Sequence, residues 1–236
     1  MQSHLARLYL PAKVRGIIPV VRRQDDFRHI LAELLNRLED NQEARVRLIL
    51  DTSLEPGTFY VLLAPMKILP DEVYENGVHL DVSKARREKP ALKRTEFISK
   101  SSTDRKRVGG EVFEILLTNR GRILEGMTSN FFYVRDGVLC TAGRGILIGV
   151  TRQTVLALAK QEGIEICYKA LALNELSATK EAFITSSSRG IVPVVQVGGQ
   201  QIADGRVGQM TRKLMDLYQR KVLSIAEVIV DGPESL

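Results

Sequence analysis

Four short stretches carry residue types that can do chemistry. Gly149-Val150-Thr151-Arg152 opens a helix-like stretch, where unpaired backbone N–H groups, the helix dipole and a hydroxyl favour an anion such as a phosphate. The same residues read equally as a threonine capping a helix. Thr185-Ser186-Ser187-Ser188 sets hydroxyls in a row just past a predicted buried strand, as a second donor cluster or as a plain polar loop. Lys93 follows Pro90 at an apolar-looking junction. Burial there would depress its pKa, and a neutral amine is a nucleophile able to form an imine with a carbonyl. Against that stands the solvated surface charge that most of the 34 Lys and Arg residues must be. Glu125 ends a predicted strand, either rigidly held or facing water from a turn.

Missing patterns narrow the chemistry. There is no GxGxxG for a dinucleotide, no glycine-rich loop ending in Gly-Lys-Ser/Thr, no GxSxG elbow and no HExxH. His4, His29 and His79 have no paired ligand spacing, so no metal site is expected. Cys140 and Cys167 lack a CxxC pattern and read as buried free thiols.

The elements that must position these residues follow from periodicity. A helix starting at Ser3 carries Leu5, Leu8 and Tyr9, and a second, capped by Asp25 or Asp26, places Phe27, Ile30, Leu31, Leu34, Leu35 and Leu38 on one face. Arg45–Asp51 and Phe59–Ala64 read as strands around a Glu55-Pro-Gly turn. Pro65 to Pro70 marks a crossing into a second domain, giving domains 1–67 and 68–236. The second domain opens with a strand at Val78–Val82, then a turn at Pro90 leading into a helix. Strands follow at 112–118, 122–125, 131–134 and 138–141, with Asn119-Arg-Gly and Arg135-Asp-Gly turns between them. A helix from Gly149 to Gly163, a strand at 165–168 and a short helix capped by Asn174 come next. Strands at 182–186, 192–197 and 200–203 and a long helix through Met210, Leu214, Leu217, Tyr218 and Val222 close the chain.

Composition bounds the class. The 236 residues are 44% hydrophobic and 26% charged, an ordinary globular balance. The longest strongly apolar stretches fall well short of the ~20 residues a membrane helix requires. The first residues lack an apolar signal core, which points to the cytoplasm. A net charge of +6 and a pI near 9.4 suit an anionic ligand. Nucleic acid is disfavoured, because the dense basic run at Lys84–Pro90 has no interleaved aromatics.

Taken in order, five segments resemble the class IV, fold-type IV aminotransferases that use pyridoxal 5'-phosphate: branched-chain and D-amino acid aminotransferases and aminodeoxychorismate lyases. The segments are His4-Leu-Ala-Arg7-Leu, Arg87-Glu-Lys-Pro-Ala-Leu-Lys93, Leu124-Glu125-Gly-Met-Thr-Ser-Asn130-Phe-Phe, Gly149-Val-Thr151-Arg152 and Phe183-Ile-Thr-Ser-Ser-Ser-Arg-Gly-Ile-Val-Pro193-Val. The resemblance implies a two-domain α+β fold, with a small N-terminal α/β domain lacking its front portion and a larger β-barrel-like domain flanked by helices. It implies that Lys93 joins the cofactor and moves the α-proton, and that Glu125 faces the pyridine nitrogen. Arg7, Val150, Thr151 and Ser187 would hold the phosphate, and Ser188 would lie near the substrate carboxylate.

The expected reaction is amino transfer between an amino acid and a 2-oxo acid, in a homodimer. Pyruvate elimination of the lyase kind and an inactive cofactor- or partner-binding relative are the alternatives. Departures from the pattern are Phe97 where a tyrosine is usual, Arg45-Val-Arg47 in place of a Tyr-x-Arg pair, and Arg189-Gly190 after the hydroxyl loop. Arg45 and Arg47 are therefore candidates for substrate binding, and the added arginines suggest an acidic partner or lie at the surface. Family members also carry a few tens of residues ahead of the His-x-x-Arg-Leu helix, with which this sequence begins.

Overall fold

The computed structural model describes residues 2–20, 24–38, 43–85, 87, 90, 92–93 and 102–226. The chain forms two compact units, one holding residues up to Lys67 and the other spanning Ile68–Ser224.

In the first unit α1 (Gln2–Arg15) is longer than the short helix expected and runs through Pro11, which removes one backbone hydrogen bond. Leu5 and Ala12, two turns apart, are its buried residues. In α2 (Gln24–Leu35) the apolar stripe buries Phe27 and Leu31. Asp25 and Asp26 lie within its first turn rather than at a cap, where acidic charge complements the helix dipole. Leu38 lies beyond its end. The hairpin of β1 (Ala44–Leu50) and β2 (Phe59–Pro65) is antiparallel, with Leu48 opposite Val61 and Arg47 opposite Leu62. Leu48, Phe59, Val61 and Leu63 pack against Phe27 and Leu31. Alternation therefore puts Arg45 and Arg47 on the other face, where both are exposed.

The second unit begins with α3 (Asp71–Asn76), too short to show a helical period in the sequence. Six strands then close into a barrel: β3 (Val78–Ser83), β4 (Val112–Asn119), β5 (Arg122–Gly126), β6 (Asn130–Arg135), β9 (Glu181–Ser186) and β10 (Gly190–Val197), which returns to β3. β3 pairs in parallel with β4 and β10, and the other pairings in the ring are antiparallel. Closure leaves the ring without unpaired edges. Off the ring, β7 (Val138–Thr141) pairs with β6, β8 (Ile166–Cys167) with β7, and β11 (Gln200–Gln201) with β10.

The Arg120-Gly121 and Asp136-Gly137 loops take positive φ at both residues, the twist that joins adjacent antiparallel strands. Along β6, Phe131 and Tyr133 enter one core with Leu116, Ile184 and Val192. Phe132 and Val134 enter another with Val155, Ala159 and Leu214. These last belong to α5 (Val150–Gln161) and α6 (Gln209–Ser224), which cover that face. A four-residue helix, α4 (Ser102–Arg105), precedes β4.

Two expectations change, and a third lies outside the described residues. Asn174 caps nothing; it lies inside a 3-10 turn (Leu173–Ala178) that starts after Ala172, whose N–H bonds Glu175. The strand expected at 165–168 shrinks to two residues because only Leu139 and Cys140 of β7 offer partners. The helix expected after Pro90, with Phe97, falls in residues 94–101, outside those described. Both cysteines are free thiols, Cys140 buried and Cys167 half-buried. Among the described residues no helix is long and apolar enough to cross a membrane.

Candidate active site

Glu125 is not a turn carboxylate facing water. It is 2% exposed, and both of its oxygens are engaged. Arg87 donates from Nε to Oε1 at 2.9 Å, and the Leu147 N–H donates to Oε2 at 3.0 Å. The same guanidinium donates from Nη2 to the Met127 carbonyl at 2.7 Å, which fixes it beside the carboxylate. Burial dominates the titration and pushes the Glu125 carboxyl up to about 7, opposed by the Arg87 charge and the Leu147 amide, with Glu114 adding to the rise. Arg87 sits in the quoted lysine-bearing segment, yet nothing in the sequence assigns it this partner 38 residues away.

Register carries Glu125 to the hydroxyl loop. Glu125 pairs with Asn130, and Asn130 with Thr185, so the three side chains share one face across β5, β6 and β9. Two strand spacings, about 10 Å, separate the ends of that row. Asn130 donates from Nδ2 to the Leu147 carbonyl at 2.7 Å. One residue, Leu147, is therefore gripped at its N–H by Glu125 and at its carbonyl by Asn130, two residues before the helix cap. A Cβ on that cap, Gly149, would stand 2.2 Å from Asn130 Oδ1, so a glycine is required by space rather than by φ, which is −71°.

α5 starts with no side chain capping its first amides. Thr151 is buried, not the cap, and its hydroxyl lies 3.5 Å from that of Tyr218 on α6. Val150 is half-buried ahead of it. In the loop after β9, Ser187 is exposed and Ser188 half-buried, while Thr185 is buried with a hydroxyl that has no hydrogen-bond partner among the described residues.

Arg189, expected to add positive charge to the pocket, is spent on a carboxylate. It donates from Nη2 at 2.7 Å to Glu114 Oε2 and at 2.7 Å to Thr128 Oγ1, and from Nε to Ser186 Oγ at 3.1 Å. Glu114 was legible as an oddity, a lone carboxylate in the apolar strand Val-Phe-Glu-Ile-Leu-Leu, which burial obliges to find a partner.

The remaining residues are placed less tightly. Lys93 is exposed and lies in irregular chain, the surface placement that the sequence left open beside a buried one; residues 94–101 beyond it are outside those described. Arg7 is half-buried on α1, its guanidinium 3.4 Å from His4 Nδ1, and burial lowers its pKa. Arg45 and Arg47 are exposed on β1. The second unit thus brings together Glu125, Val150, Thr151 and the hydroxyl loop through one row of register and one gripped loop. Arg7, Arg45 and Arg47 stand in the first unit.

These donors suit a flat heteroaromatic phosphate. A buried carboxylate with a raised pKa can share a proton with a ring nitrogen, and an uncapped helix start takes an anion. The Thr185 hydroxyl, without a partner among the described residues, is a buried polar group still owed a hydrogen bond.

Comparison with known proteins agrees. The profile of the amino-transferase class IV family matches residues 1–197. A Methanocaldococcus jannaschii protein, provisionally assigned as a branched-chain-amino-acid aminotransferase, is 31% identical over 238 aligned positions, covering 93% of this chain and 81% of its own length. The D-alanine aminotransferase of Listeria monocytogenes is 27% identical, with 93% of this chain and 81% of its own covered. Among solved structures, the branched-chain aminotransferase of Thermoproteus uzoniensis with norvaline superposes with a TM-score of 0.75 at 26% identity, covering 95% of this chain and 80% of that one. The chain belongs to the class IV aminotransferase family, and the closed barrel flanked by helices is the fold-type IV architecture. It is an enzyme of the pyridoxal-phosphate-dependent transaminating class.

Proposed function

We propose that the chain exchanges an amino group between an amino acid and a 2-oxo acid, with pyridoxal 5'-phosphate seated so that its ring nitrogen meets Glu125. The observation that carries this reading is the Glu125 carboxylate itself: buried, with a pKa raised to about 7, and tied through Leu147 to the uncapped start of α5. When bound, the cofactor supplies an electron sink that lets the amino acid's α-C–H bond ionise. Lys93 would anchor it through Nζ and ferry the proton between the substrate Cα and the cofactor carbon that accepts it. Glu125 would keep a proton on the ring nitrogen, and Arg87, charged beside it, would hold the carboxylate in place.

Val150 and Thr151 would offer backbone N–H groups to the phosphate, with Ser187 adding a hydroxyl. Ser188 would receive the substrate carboxylate. The amino donor leaves its nitrogen on the enzyme and departs as an oxo acid; a second oxo acid then collects the nitrogen. A homodimer working in the cytoplasm is part of the same reading.

The test is chemical. Protein reconstituted with pyridoxal 5'-phosphate, reduced with borohydride and digested, should carry the adduct on the Lys93 peptide. Lys93→Ala should lose the adduct and at least about 10³-fold of amino transfer. An adduct on another lysine, or one that no amino donor ever converts, would remove the proposal. With aminodeoxychorismate supplied, pyruvate and 4-aminobenzoate would indicate elimination instead.

A further inference from the structure

We infer that Arg189 is a positioning residue: paired with Glu114, it locks the hydroxyl loop at Ser186–Arg189 to the turn at Gly126–Ser129 behind Glu125, and so sets where Ser187 and Ser188 stand. The inference rests on the function proposed above and adds a residue to it. Three hydrogen bonds radiate from one guanidinium to three segments: Glu114 on β4, Thr128 in the turn and Ser186 in its own loop. The central carbon of the guanidinium also lies over the Phe113 ring, 5.3 Å from its centroid.

Glu114 completes the lock from the other side. Its Oε1 accepts from the Thr128 N–H at 2.6 Å, the Thr128 hydroxyl at 3.1 Å and the Ser129 hydroxyl at 3.0 Å. The turn can approach so closely only because Gly126 has no Cβ, which would lie 2.6 Å from that oxygen and 2.2 Å from Ser129 Oγ. The Tyr74 hydroxyl, from α3, holds the Arg189 carbonyl at 3.1 Å.

Ion-paired at 2.7 Å with a carboxylate 3% exposed, the guanidinium forms with Glu114 a unit of zero net charge. Arg189 therefore does not recruit an acidic substrate side chain. Its fork spans the two loops that flank the candidate site, and a lysine, with a point charge, could pair with Glu114 but not bridge all three segments.

The experiment compares Arg189→Met, Arg189→Lys and the double variant Glu114→Gln/Arg189→Met in the full chain. Arg189→Met alone strands a buried carboxylate and can fail to fold, whereas the double variant buries no unpaired charge. Amide exchange without added cofactor should show segments 126–130 and 185–190 opening together in the double variant, with Arg189→Lys intermediate. Cofactor affinity, titrated through its visible absorbance, should fall roughly tenfold in the double variant, and turnover should drop alike for acidic and apolar oxo acids.

A double variant with wild-type protection in both segments overturns the inference. So does a rise in KM confined to acidic acceptors, which would make Arg189 a substrate contact. Should the wild type take up no cofactor, the proposed function fails while the exchange result still decides the role of Arg189.

Discussion

At the scale of single residues, the protonation of Glu125 bears on stability and on the role proposed for it. Its carboxyl is raised to about 7 in the folded chain, above the ordinary 4.5. A raised carboxyl binds more protons folded than unfolded between those values, so its contribution to stability is complete below about pH 4.5 and drains away as pH rises through 7. The largest swing is roughly 3 kcal/mol. Groups such as Glu175, whose pKa is lowered by the Ala172 N–H and by Arg135, pull the opposite way, so a difference measurement is needed. Thermal midpoints of cofactor-free wild type and Glu125→Gln from pH 5 to 8 should diverge in favour of Gln as pH rises. A constant gap would mean that Arg87 keeps the carboxylate ionised throughout. On the proposed seating of the cofactor, the same substitution in the loaded enzyme should cost about 10²-fold or more in turnover, because an amide would not hold a proton on the ring nitrogen.

At the scale of elements, the decisive feature is the way two strands steer a helix start. Asn130 and Glu125 hold Leu147 by its two backbone groups, and Gly149 fits against Asn130 with no room for a methyl. Gly149→Ala should destabilise by about 1–3 kcal/mol through overpacking, although its φ suits alanine. Asn130→Ala should cost about 1 kcal/mol by freeing the Leu147 carbonyl. Because the clash disappears with the asparagine, the double variant should cost less than the two singles added, which denaturant unfolding of all four proteins would measure. Strict additivity would mean that the loop moves independently of β6.

Much of this was legible beforehand. The Asp136-Gly137 pair announced its hairpin, and Gly149 announced a helix start, because both depend on local backbone chemistry. What stayed hidden was long-range: that Glu114 meets Arg189 across 75 residues, that Arg87 meets Glu125, and that β10 returns to β3. Periodicity tells a strand which face is apolar but not which strand lies beside it. For Lys93 the sequence leaves burial and exposure both open for a related reason, since burial of an irregular segment depends on what packs over it.

At the scale of the molecule, the two units are built to different strengths. The ring in the second unit has every strand paired on both sides over part of its length, and it is packed inside and out by separate cores. The first unit holds a two-stranded sheet whose half-buried Leu48, Phe59, Val61 and Leu63 pack on Phe27 and Leu31, the buried residues of α2. A lone hairpin is marginal in water and depends on the helix laid over it. Opening it exposes few apolar side chains, whereas opening β6, β9 or β10 tears two cores at once. Amide exchange should therefore separate the units, with protons on β1 and β2 exchanging at least about 10²-fold faster than those on β6, β9 and β10, a gap of roughly 2.7 kcal/mol in opening free energy. Exchange of both sets at one common slow rate would mean that the units open only together, and the hairpin would then owe its stability to more than the helix packed against it.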